Sequence, residues 1–161
     1  MMNRMNALIR SEEGQGMTDP ISRGVEDIGV LKSVTGVFAL PPEDRGAGAR
    51  FDEYVLDFGT RSIVISAEPK DDSIRAHFGE PSHSFEEGLT AREPWRTLIG
   101  CSVLWTWTLT NQRGYQDGFQ IELARPGECW AIQFMSEGAA LSVRSIGPVE
   151  RLWNQFEKDQ P

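Results

Sequence analysis

Ser102–Met135 reads SVLWTWTLTNQRGYQDGFQIELARPGECWAIQFM, and three runs within it alternate with a period of two. Val103, Trp105, Trp107 and Leu109 share one face of the first run, with Leu104, Thr106, Thr108 and Thr110 on the other. Phe119, Ile121 and Leu123 alternate with Gln120, Glu122 and Ala124, and Trp130, Ile132 and Phe134 alternate with Ala131, Gln133 and Met135. Successive side chains of a strand point to opposite faces, so each run predicts a strand with one buried side. NQRGYQDG and RPGE between the runs carry the Asn, Asp, Gly and Pro that turns require. The links are too short for parallel crossovers, so the strands are antiparallel neighbours. Trp105, Trp107 and Trp130 form an aromatic row. Such a row suits stacking of a base or sugar ring, but its alternation with threonine is that of a core face, and core packing is expected.

Working outward, Leu141–Ile146 predicts a last strand, stopped by Gly147-Pro148. Val149, Leu152, Trp153 and Phe156 recur at helical spacing, which predicts a C-terminal helix over Val149–Lys158. Upstream, FDEYVLDF-GT-RSIVISA (Phe51–Ala67) predicts a hairpin with a tight loop at Gly59-Thr60. Tyr54, Leu56 and Phe58 face one way and Ile63, Ile65 and Ala67 line the same side of the second strand. Further strands are expected at Lys32–Leu40 and Ser73–Phe78, a short helix at Val25–Leu31, and one helical turn in Glu93–Gly100. Residues 41–50 and 79–92 are polar and rich in Pro and Gly, and are expected as loops. The fold class is therefore mainly β (α+β). It is an antiparallel meander forming a curled sheet, a small sandwich or an open barrel, with the C-terminal helix packed on it. Residues 1–24, which lack a stable period, are expected as a flexible tail before a single β-rich domain over 25–161, and Met17 is a second candidate start.

The chain has 161 residues, and 16 Lys and Arg against 24 Asp and Glu leave a net charge of −8. Binding to a nucleic-acid backbone needs a basic stripe, and the nearest groupings are only Arg4 with Arg10 and Arg92 with Arg96, so nucleic acid is excluded as a partner. No apolar run is long enough for a membrane span, and Ala7-Leu8-Ile9 is too short for a secretory signal, which points to the cytoplasm. Cys101 and Cys129 have apolar neighbours and form no CxxC pair; buried free thiols are expected, with a disulfide between neighbouring strands as the alternative.

No nucleophile motif, phosphate loop, dinucleotide fingerprint or zinc-protease motif occurs, so no catalytic residue and no cofactor are assigned. His77 and His83, with Glu80 and Glu86 nearby, are the metal candidates, but their spacing matches no rigid ligand pair. Asp52, Glu53 and Asp57 form an acidic strand that would suit a basic protein partner, although a polar edge also simply discourages aggregation. Tyr115 and Asp117, in the Asn111–Gly118 turn, are further candidate contacts. Two function classes follow. One is a non-enzymatic protein-binding module, immunity- or inhibitor-like, docking a basic protein through Asp52, Glu53 and Asp57. The other is a small-ligand domain or enzyme with a site under loops 41–50 and 79–92.

LIGCSVLWTWTLTNQRGYQDGF, followed by QIEL and CWAIQFMSEGAALSVRSI, resembles a family of small bacterial proteins of unknown function, the DUF6334 type. The matching residues are Leu98, Ile99, Gly100, Trp107, Thr110, Asn111, Gly114, Tyr115, Asp117, Gly118, Phe119, Gln120, Ile121 and Glu122, with Leu123 where the family pattern has Phe. The resemblance covers about Leu98 to Ile146. It implies a bacterial source and a small β-rich domain, and it transfers no activity and no catalytic residue.

Overall fold

The computed structural model describes residues 21, 25 and 27–147. Among the described residues nine strands run in chain order: β1 (Ser33–Phe38), β2 (Glu53–Asp57), β3 (Ser62–Glu68), β4 (Ser73–Phe78), β5 (Phe85–Gly88), β6 (Ser102–Thr110), β7 (Gln116–Arg125), β8 (Glu128–Glu137) and β9 (Ala140–Ile146). One helical turn, α1 (Trp95–Leu98), precedes β6. The strands form two antiparallel sheets, ordered β4-β3-β2-β1-β5 and β6-β7-β8-β9, and do not close into a barrel. The helix expected over Val149–Lys158 lies outside the described residues. So does most of the expected tail, but Ile21 within that stretch is fully buried in the core.

Local chemistry accounts for the hairpins. Between β2 and β3 the Phe58 N–H donates to the Arg61 carbonyl, and Gly59 takes φ +90°, a conformation that favours glycine. The register then sets Leu56 opposite Ile63 and Tyr54 opposite Ile65, all buried. Between β6 and β7 the Asn111 side-chain oxygen accepts from the N–H groups of Arg113 and Tyr115, closing the turn from inside. The inward faces of both sheets meet in one cluster containing Leu56, Phe58, Ile63, Phe119, Ile121 and Phe134. Each such side chain contributes about 1.5–3 kcal/mol when withdrawn from water. Rings join the layers: Tyr54 of β2 lies 5.3 Å edge-on to Phe134 of β8, and Trp95 of α1 stacks 6.1 Å from Phe134.

Four expectations are corrected. Val25–Leu31 is not a helix where it is described. Gly29 has φ +93°, Val30 bridges Ser102, and Leu31 exchanges backbone bonds with Gly100 and Cys101, so this extended segment ties the entry of one sheet to the start of the other. Residues 79–92 are not one loop, because Phe85–Gly88 forms β5 and pairs with β1, Phe38 opposite Phe85 and Thr35 opposite Gly88. FEEG has no alternation to betray a strand; the open edge of β1 makes it one.

The third correction concerns Trp105 and Trp107, which do not face the core: they are 60% and 41% exposed. A register shift between Val103 and Trp105 is the reason. Val103 pairs with the buried Leu123, but after the extra residue Leu104 it is Trp105 that pairs with Glu122. A slip of one residue sends every later side chain to the opposite face. Trp130, on β8, keeps the expected side and packs against the core.

The first sheet is also not a simple meander. The chain leaves β4 at one edge and enters β5 at the other, crossing the face opposite the core. Four strand spacings of about 4.8 Å make about 19 Å. Phe78 to Phe85 is seven Cα steps, which reach about 24 Å fully extended. The crossover, residues 79–84, is therefore nearly taut and has little choice but to lie flat across β3, β2 and β1.

Candidate functional site

The acidic strand is where the sequence points first, and its three carboxylates are engaged within the molecule. Asp52 accepts from the Ala39 N–H at 2.7 Å. Asp57 accepts from the Gly59 N–H at 2.8 Å and caps the hairpin loop. Glu53 points to the outer side of β2, under the crossover, and is only 2% exposed. Its two oxygens accept from the Ser82 N–H at 3.1 and 2.9 Å, and one also accepts from the His83 N–H at 3.2 Å. Val37 and Val64 beside it are fully buried. Glu53, Val37 and Val64 thus occupy the space beneath 79–84.

His77 sits on β4 opposite Val64, while His83 lies in the crossover. Burial, with Arg75 nearby, holds the His77 imidazole below its ordinary pKa, and its Nδ1 is buried without a hydrogen-bond partner. Among the described residues, no three His, Cys, Asp or Glu side chains gather where they could hold a metal ion. Cys101 and Cys129 are free and buried, and burial pushes the Cys101 thiol up. Loop 41–50 is fastened at both ends of its basic residues. Arg45 lies over the Phe38 ring at 3.5 Å, and Arg50 pairs with Glu137 at 2.8 Å.

What remains open is the outer face of the second sheet. The registers place three rows on it: Leu109, Gly118, Met135 and Ser142; Trp107, Gln120, Gln133 and Arg144; Trp105, Glu122, Ala131 and Ile146. The first row is closed, since a Cβ on Gly118 would stand 2.9 Å from the Met135 sulfur and 3.0 Å from Leu109. In the second, the Gln133 amide donates to the Gln120 oxygen at 2.7 Å. In the third, Glu122 stands directly across from Trp105, which puts the Cβ atoms about 5 Å apart. Among the described residues no cation pairs with Glu122, whereas Arg144 is directed at Glu137, 3.6 Å away. Ile146 is 45% exposed at the far edge. Tyr115 is exposed at the tip of the β6–β7 turn, and Asp117 sits in the irregularity just after it. The structure therefore brings Tyr115 and Asp117 to the end of this face, and places Asp52, Glu53 and Asp57 on the other sheet.

Glu122 and the outward tryptophans were missed from sequence. Counting register back from the Asn111–Tyr115 turn sets Trp107 against Phe119, on the core side; the extra residue Asp117, at the irregularity between Leu109 and Thr110, shifts it to Gln120, and no residue pattern announces that bulge. Chemically, the face offers two indoles, one unpaired carboxylate and amides. These groups suit stacking and hydrogen bonding.

No curated protein and no solved structure matches the chain. A model of a family of unknown function, DUF6334, matches residues 18–150, well beyond the Leu98–Ile146 stretch, and the chain belongs to that family.

Proposed function

We propose that this DUF6334 member is a non-enzymatic protein-binding module, immunity- or inhibitor-like in kind, that receives a basic protein on the open face of its second sheet. One observation carries the reading: two tryptophans, 60% and 41% exposed, stand side by side on a sheet face that no other described element covers. Exposed aromatic anchors of this kind are enriched at protein interfaces and dominate their energetics. A net charge of −8 steers a cationic partner toward the molecule and repels nucleic acid. The docking surface is moved from Phe51–Phe58 because Asp52, Glu53 and Asp57 hold backbone N–H groups of their own chain.

The test compares the tagged wild type with a Trp105→Thr/Trp107→Thr variant and an Asp52→Asn/Asp57→Asn variant as baits in cell lysate. Threonine keeps the strand preference of β6. The expected result is one stoichiometric basic protein, held by the wild type and the Asp variant and lost by the Trp variant. Undiminished capture by the Trp variant overturns the proposed surface. An immunity-like role further requires that the captured protein lose its activity when bound.

A further inference from the structure

Arginine on an aromatic ring is a contact this fold uses repeatedly. Arg45 lies 3.5 Å over Phe38, Arg61 lies 3.8 Å over Phe78, and Arg125 lies 5.1 Å over Trp130. Indole is the strongest cation acceptor of the aromatic side chains. Yet among the described residues the two most exposed indoles, Trp105 and Trp107, carry no cation. Their Cα atoms lie two strand steps, about 6.8 Å, apart. Among the described residues Glu122 stands across from Trp105 with no cation paired to it, and in the row beside it the Gln120–Gln133 bond lies between Trp107 and Arg144, which is directed at Glu137. The arrangement is thus an aromatic floor with one carboxylate at its side.

We infer that Trp105, Trp107 and Glu122 form a receptor for the guanidinium of an arginine in the partner protein, an assignment that rests on the reading of this face as the interface. The plane of a guanidinium stacks on an indole while its N–H fork meets the Glu122 carboxylate with two parallel hydrogen bonds. An ammonium is more strongly hydrated and offers no plane, so lysine fits less well. The selectivity expected is for arginine over lysine at equal charge.

Nona-arginine and nona-lysine peptides separate shape from charge. Each is titrated into the full chain at about 0.15 M salt, where long-range attraction is screened beyond ~8 Å, with tryptophan fluorescence and calorimetry as readouts. Nona-arginine binds at least two- to fivefold tighter, on the order expected for one exposed cation–π contact. Glu122→Gln and Trp105→Thr/Trp107→Thr each remove that preference. Glu122→Gln is a near-isosteric surface change and decides the matter alone if the tryptophan variant fails to fold. Equal affinities for the two peptides, or a preference untouched by Glu122→Gln, overturn the guanidinium assignment. If Trp-dependent capture of the protein partner persists in that case, the interface itself stands. If capture ignores both tryptophans, the interface falls with it.

Discussion

Replacing Glu53 by alanine removes the acceptor that holds the crossover. Two backbone N–H groups, of Ser82 and His83, then lose their partner, along with three contacts of 2.9–3.2 Å. Hydrogen bonds to a charged group contribute about 1.5–3 kcal/mol each, and a stranded buried donor costs about 1–3 kcal/mol. Ser82 and His83 are themselves exposed, so water recovers part of the loss, and the lower end applies. The expected destabilisation is about 2–3 kcal/mol. At roughly 2–4 °C per kcal/mol for a chain of this size, the melting temperature falls by about 4–12 °C. Glu53→Gln keeps one carbonyl oxygen for the N–H groups and loses about half as much. Urea unfolding followed by fluorescence gives the free energies. Chymotrypsin gives the location, because Phe78 and Phe85 flank the crossover and become cleavable under native conditions once the pin is gone. An alanine variant within about 0.5 kcal/mol of wild type, with Phe78 and Phe85 still protected, refutes the idea that this carboxylate holds the crossover.

Gly36→Ala lowers stability by about 1–3 kcal/mol in the same urea assay, because the new Cβ would stand 2.3 Å from a Phe51 ring already packed 4.5 Å from Phe38. Asp72 joins the β3–β4 turn to the β8–β9 turn, and the Ala139 N–H and Ser136 hydroxyl hold its carboxyl below the usual carboxylate range. Its contribution is therefore present above the ordinary carboxylate pKa and is lost as pH falls through the depressed one, so Asp72→Asn flattens the acid limb of urea midpoints measured against pH. Burial pushes the Tyr54 phenol up to about 12 from 10.0, so the folded chain keeps a proton that the unfolded chain releases. Stability falls between those values as pH rises, by roughly 2–3 kcal/mol, and Tyr54→Phe removes that part of the alkaline slope in urea midpoints.

The strands that alternate were legible in the residues, and so was the Gly59-Thr60 hairpin, because period and turn chemistry are local properties. What was not legible depends on distant partners. FEEG becomes β5 only because β1 offers it an edge, and nothing in those four residues announces it. Alternation in SVLWTWTLT reveals two faces without saying which is inward. The larger, more apolar face was the natural choice for the core, and the extra residue at Leu104 reversed it beyond Val103. The acidic strand illustrates the same limit at the level of the site. Asp52, Glu53 and Asp57 are conspicuous as charges, but their hydrogen bonds go to Ala39, to Ser82 and His83, and to Gly59, and only the last is close in sequence.

The taut crossover also orders events as the chain folds. β1 to β4 can zip as successive hairpins, but β5 must find β1 across more than fifty intervening residues, Thr35 to Gly88. Non-local pairings of this kind form late. Until they do, β1 presents SVTGVF as an open edge without a single charge, the kind of surface on which nascent chains stick to one another. Glu53 then acts as a catch that closes this window, drawing the crossover down so that β5 seals the edge. Variants that weaken the catch will show their effect first as lost soluble yield during synthesis, before any change in what the finished protein binds.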